Sequence, residues 1–170
     1  MDRKEDGTKY RGLSHNPICI GVATDKAQVV CLVEGFGKPS QKRSYESFKE
    51  HIAPKSILIH DNDNAHKKLV KELELQSKVY PSKELKGLGD KDNPLVPVND
   101  VHDRLKKFLT AHAGFSRKHI QDYMNLFVFV RNPPYDPLEK VELLLNLAFS
   151  NPKLLRYRDQ FRSDSESPDD

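Results

Sequence analysis

Ser56-Ile57-Leu58-Ile59-His60-Asp61 decides how this chain is read. The apolar run is too short for a helix, and Pro54 shortly before it stops whatever precedes. Such a run, bounded by breakers, predicts a short, buried central strand. It ends in a carboxylate. Polar groups just beyond strand C-termini are the usual ligand positions of open α/β sheets. Taken alone, Asp61 reads first as a turn or cap residue, because Asp61-Asn62-Asp63-Asn64 is rich in caps for a following helix. The cluster also invites a calcium-loop reading with Asp61, Asp63 and Glu72. That reading fails inside, where Ala65 and His66 replace a ligand and the turn glycine.

Upstream, Pro17–Thr24 and Gln28–Glu34 are β-rich runs. Asp25-Lys26-Ala27 between them has the length of a hairpin connection. Cys19 and Cys31 lack metal-ligand spacing and read as two free core thiols near each other across the hairpin. Gly35–Ser40 breaks the chain, and a helix carrying Tyr45, Phe48 and Ile52 follows until Pro54. Downstream, the spacing of Ala65, Leu69 and Leu73 predicts a helix over 64–75, and Lys78-Val79-Tyr80 a short strand. Residues 82–97 read as a polar Gly/Pro-containing loop.

Three helices close the chain. The first, Val98–His112, puts Val98, Val101, Leu105, Phe108, Leu109 and His112 on one stripe and is stopped by Gly114. Ser116 caps the second, with Ile120, Tyr123, Met124 and Phe127. Asp136-Pro137-Leu138-Glu139 is a capping box that opens the third. A hairpin, a crossover helix and a strand in this order predict a mixed sheet with helices on its faces.

The chain has 170 residues, enough for one domain with a real core, and is 36% hydrophobic and 31% charged. Mean hydropathy is −0.71. No apolar stretch approaches a membrane span and the N-terminus has no signal-peptide core, so the expected compartment is cytoplasmic, with no membrane partner. Net charge is only +3, but Arg104, Lys106, Lys107, Arg117, Lys118 and Arg131 concentrate between 98 and 131. Arg104, Lys107, Arg117 and Lys118 are candidate phosphate contacts. Asn99, His102 and Lys106 share one helix face beside the apolar stripe, where they can point into a cleft. Residues 1–10 read as a loop or disordered start, 11–162 as one domain, and 163–170 as a disordered acidic tail.

These segments together resemble insertion-sequence transposases of the DDE superfamily. The similarity runs from Lys9-Tyr10-Arg11-Gly12-Leu13-Ser14 through the hairpin and Ile57–Asp61. It continues over Val98–Leu109 and ends in Gly114–Asn125, about Lys9 to Arg131 in all. The Asn-x-x-His-x-x-x-Lys face followed by a Gly-x-Ser-x-Lys helix resembles the subgroup with Asn at the third catalytic position. The resemblance implies a ribonuclease-H-like mixed sheet flanked by helices, entered here at its second strand. It implies catalytic roles for Asp61, Asn99, His102 and Lys106, with Asp61 and Asn99 as metal ligands. Its chemistry is strand cleavage and transfer on insertion-sequence ends and target DNA, using Mg²⁺ or Mn²⁺.

The chain departs from the family pattern in three places. His60 stands where a small hydroxyl residue is common, Leu126 where an aromatic is common, and no strand bearing the first Asp precedes Arg11. Weak metal binding, inactivity in isolation and self-association through an exposed sheet edge are therefore expected. Two alternatives are a noncatalytic DNA-binding module derived from a transposase and an unrelated structural α/β domain.

Overall fold

The computed structural model describes residues 17–25, 27–111 and 116–150. The expected start at 1–10, His112, Gly114 and the acidic tail lie outside them. The described residues form two units, divided after Asn132.

The first unit is built on a hairpin. β1 (Ile18–Thr24) pairs antiparallel with β2 (Val29–Phe36). Asp25 closes the turn: its Oδ1 accepts the Ala27 and Gln28 N–H groups, each at 2.7 Å. These bonds, Gln28's first, hold its carboxyl below the usual range. Strand alternation then sends side chains to two cores. Ile18, Ile20, Val22, Val29 and Cys31 meet α4 (Val96–Ala111) and α5 (Ile120–Arg131) around Val101, Leu105, Met124 and Phe127. Ala23, Val30 and Leu32 meet α1 (Gln41–Phe48) and α2 (Lys67–Glu72) around Phe48, Leu69 and Leu75.

Cys19 and Cys31 are both free, and they do not face each other, since Cys31 pairs with Val22 and Cys19 with Gly35. Burial pushes each thiol up to about 11.

β3 (Ile57–His60) pairs in parallel with β4 (Gln76–Val79). The expected strand at 78–80 thus begins two residues earlier. Among the described residues the strands form two two-stranded sheets, not one mixed sheet. The expectation that β3 is a buried central strand is corrected. Leu58 packs into the second core, whereas Ile57 and Ile59 are 53% and 43% exposed. β3 has one strand neighbour, and the second core covers only its Leu58 face.

The helices follow the predicted punctuation with small shifts. The expected helix at 64–75 is a 3₁₀ turn, Asn64–His66, running into α2. Asp63, not Asp61, caps it through the Ala65 N–H. Residues 82–97 hold a short helix, α3 (Ser82–Leu85), and the first two residues of α4, whose Pro97 lacks only an N–H with no helical partner to find. In the second unit, α6 (Pro137–Ser150) is opened by Asp136, whose Oδ1 accepts the Leu138 and Glu139 N–H groups.

The outer edge of β2 is closed by side-chain amides instead of a strand. Asn132 accepts the Val29 N–H at 2.7 Å and donates to the Val29 carbonyl at 2.9 Å. Gln121 accepts the Val33 N–H at 2.8 Å and donates to the Cys31 carbonyl at 3.3 Å. Two amides thereby satisfy alternate backbone groups that would otherwise invite another chain. Asn132→Ala is expected to cost about 1–3 kcal/mol in urea unfolding, the penalty for leaving such groups unpaired. A loss within about 0.5 kcal/mol, the ordinary range for a surface change, would show that water replaces the amide freely.

Candidate functional site

Asp61 lies exposed just past the C-terminal end of β3. Its Oδ1 accepts the Asp63 N–H at 3.3 Å, a long bond that leaves the carboxylate otherwise open. Since Asp63 takes the capping duty, Asp61 is not tied to the helix start. The turn between them is tight, with Asn62 at φ 74°, a left-handed conformation that Asn tolerates better than most residues.

His102 lies on α4. His102 is half-buried, and burial holds it below the ordinary imidazole range, as does Lys106 one turn on. Asp103 and Asp61 oppose that shift, so His102 lies within electrostatic reach of Asp61. Asn99, on the same helix face, is exposed. Lys106 is exposed and paired with Asp103 at 3.4 Å. Asp61 thus acts on His102 only through its charge, and Asn99 and Lys106 share the His102 face of α4.

The four expected phosphate contacts fall elsewhere on the unit. Arg104 binds Asp100 at 2.8 Å, and this pairing holds Asp100 below the usual carboxylate range. Arg131 reaches the same Asp100 at 3.4 Å and stacks on Phe127 at 5.6 Å. Arg104, Lys107 and Arg131 line a shallow depression floored by Phe108, Phe127 and Val130. Arg117 and Lys118 are exposed in the 3₁₀ turn before α5, capped by the Ser116 hydroxyl. The cations thus form two groups, one between α4 and α5 and one at the α5 start.

Reading the sequence alone missed two residues beside Asp61. His60 and His66 stack edge to face, ring centroids 5.2 Å apart at 74°. One ligand atom from each of His60, Asp61 and His66 can be chosen so that all lie within 4.8 Å of one another. The signal was present in the spacing His-Asp-x-x-x-x-His. It was read only as a departure at His60 and as a break in a calcium loop at His66. His60 is half-buried, and burial, then His66, keep it below the ordinary imidazole range.

This donor set bears on the divalent ions of DDE chemistry. Magnesium takes hard oxygen ligands in near-octahedral geometry and keeps several waters. Here the carboxylate is flanked by two imidazoles, which suit transition ions and not Mg²⁺. The residues gathered at Asp61 therefore do not fit Mg²⁺.

A family model, the ISXO2-like transposase domain, matches residues 2–132. That span covers the resemblance traced from Lys9 to Arg131 and ends where the first structural unit ends. No curated protein and no solved structure matches the chain.

Proposed function

The chain belongs to the ISXO2-like transposase family, whose members are insertion-sequence transposases of the DDE type, and from that premise we propose a DNA-binding domain of transposase-type strand cleavage and transfer that does not cut DNA by itself. The family match over 2–132 carries the first half of this reading and removes the unrelated structural domain from consideration. The donor set supports the second half. Asp61 is the second catalytic carboxylate and Asn99 the third member, a neutral amide that offsets no cationic charge. His102 and Lys106 orient phosphate. Among the described residues this assignment supplies one carboxylate and one amide, too few hard ligands for two magnesium ions bridging a phosphodiester.

The sheet order also supports a ribonuclease-H-like frame. An antiparallel pair and a parallel pair share the core around Phe48, Leu69 and Leu75. One further strand between β1 and β3, antiparallel to the first and parallel to the second, would join them in the order β2-β1-x-β3-β4. Among the described residues those two edges have no strand partner, which favours self-association. The domain would act on cytoplasmic DNA; no described helix is long and apolar enough to cross a membrane.

Two measurements test the reading. Binding to duplex DNA is expected to weaken with salt. The slope of log K against log[salt] should be no steeper than about −3.6 if Arg104, Lys107, Arg117 and Lys118 each meet one phosphate. Changing all four to Gln should flatten it; undetectable binding, or a slope unmoved by those changes, rejects the assignment. With Mg²⁺ and element-end DNA, the 170-residue chain is expected to leave strands intact. Robust cutting that Asp61→Ala abolishes would reject inactivity while supporting the site. The noncatalytic module remains the second reading, favoured by the shortage of carboxylates at Asp61.

A further inference from the structure

We propose that His60, Asp61 and His66 form a binding site for a divalent first-row transition ion of the Co²⁺ and Zn²⁺ type, selective against Mg²⁺. Two imidazoles and one carboxylate are a recurrent ligand set for such ions, whereas Mg²⁺ prefers all-oxygen shells.

The geometry is close to what an ion requires. Ligand bonds of about 2.0–2.2 Å place tetrahedral donor atoms roughly 3.4 Å apart. The three donors here lie within 4.8 Å of one another, so a closure of up to about 1.4 Å suffices. Asp61 can supply its own share of it, because its carboxylate is exposed and held by a single long bond. The imidazoles are fixed more firmly. His66 belongs to the 3₁₀ turn that Asp63 caps, between buried Ala65 and α2. His60 sits at the end of β3, paired with Val79 in the strand ladder.

The tautomer of His60 is also suitable. Its Nδ1 lies 3.3 Å from the Asn62 N–H, which can only donate, so Nδ1 carries a lone pair. The ring proton is then on Nε2, which lies 2.8 Å from the Ser77 hydroxyl and donates to it. Metal-bound histidines usually donate their second ring N–H in this way, which fixes the ring and raises its basicity. Ser77 of β4 thus fills the supporting position, and the weak Asn62 bond is the one an ion would replace. Three protein ligands leave further coordination positions for water or a phosphate oxygen.

This inference deepens the proposed role of Asp61 but does not depend on DNA cutting, because its readout is the metal. Co²⁺ is titrated into the full 170-residue chain, free of any histidine tag, while visible absorption and the assigned histidine C–H resonances are followed. One equivalent is expected to bind. Of the seven histidines, only His60 and His66 should show the large contact shifts of bound ligands, with a smaller through-space shift allowed at His102. Zn²⁺ should displace the Co²⁺ stoichiometrically, and a large excess of Mg²⁺ should not. Loss of an outer-shell partner alone typically weakens metal binding about 10–100-fold, so His66→Ala should weaken Co²⁺ at least ten-fold. Contact shifts of ligand size at any other histidine, wild-type Co²⁺ affinity in His66→Ala, or displacement by equimolar Mg²⁺ would each overturn the site. The wild-type resonances decide the matter even where His66→Ala fails to fold.

Discussion

Phe127→Ala is expected to lower the unfolding free energy by about 3–5 kcal/mol, the usual cost of removing a buried aromatic. Phe127 is 4% exposed at the centre of the first core, beside Met124, which is fully buried. Its ring lies 5.4 Å from that of Phe108, so it joins α5 to α4. Two effects should add. The cavity removes contacts from Val101, Leu105 and Met124, and Arg131 loses the ring it stacks on. Domains commonly have only about 5–15 kcal/mol in total, so the variant should be near the threshold for folding at 37 °C. Denaturant unfolding with two probes measures the loss. A value under about 1.5 kcal/mol would mean that α4 and α5 close over the gap, and that the first core is less rigid than its burial implies.

Phe127 belongs to the part of the fold that was readable from the chain. Of the residues that the helical stripes of α4 and α5 named, Val101, Leu105, Ile120, Met124 and Phe127 are buried, and Val98, Phe108, Leu109 and Tyr123 are half-buried. The hairpin and the strand before Asp61 were readable for the same reason: strong local periodicity with turn residues at the ends. What was not readable depends on contacts distant in sequence. No local pattern says that Gln121 and Asn132 close the β2 edge, because each acts on backbone about a hundred residues or fewer upstream. Burial of β3 was overestimated because an apolar run reports composition and not how many neighbours the sheet supplies. His60 and His66 were visible as letters, but a turn with Asn62 in a left-handed conformation is needed to bring them around Asp61. The family resemblance pointed to Asp61, Asn99, His102 and Lys106, and marked His60 only as a departure from the pattern.

The second large effect is expected at Gly21, whose position in β1 looks unremarkable in sequence. It faces the second core with no side chain of its own. A Cβ built there would lie 2.5 and 2.8 Å from ring carbons of Phe48 and 2.6 Å from the Glu34 carboxylate. Glu34 is on a flexible stem and can move aside. Phe48 cannot move cheaply, because it is 5% exposed and packs with Leu69 and Leu75. Gly21→Val should therefore expel the Phe48 ring or push β1 from α1, costing about 3 kcal/mol, the upper part of the range for overpacking. Gly21→Ala should cost less but keep the same sign. The consequence reaches the site, because Leu58 of β3 packs on the same cluster and β3 carries His60 and Asp61 at its end. A shift of Phe48 should move Leu58, and amide resonances from Ile57 to Asp63 should change with those of α1. The companion change Phe48→Leu in the Gly21→Val background relieves the contact and should recover part of the loss. If Gly21→Val unfolds within about 0.5 kcal/mol of the parent and the 57–63 amides stay in place, close packing of β1 on Phe48 is wrong, and the second core does not hold the strand end that presents Asp61.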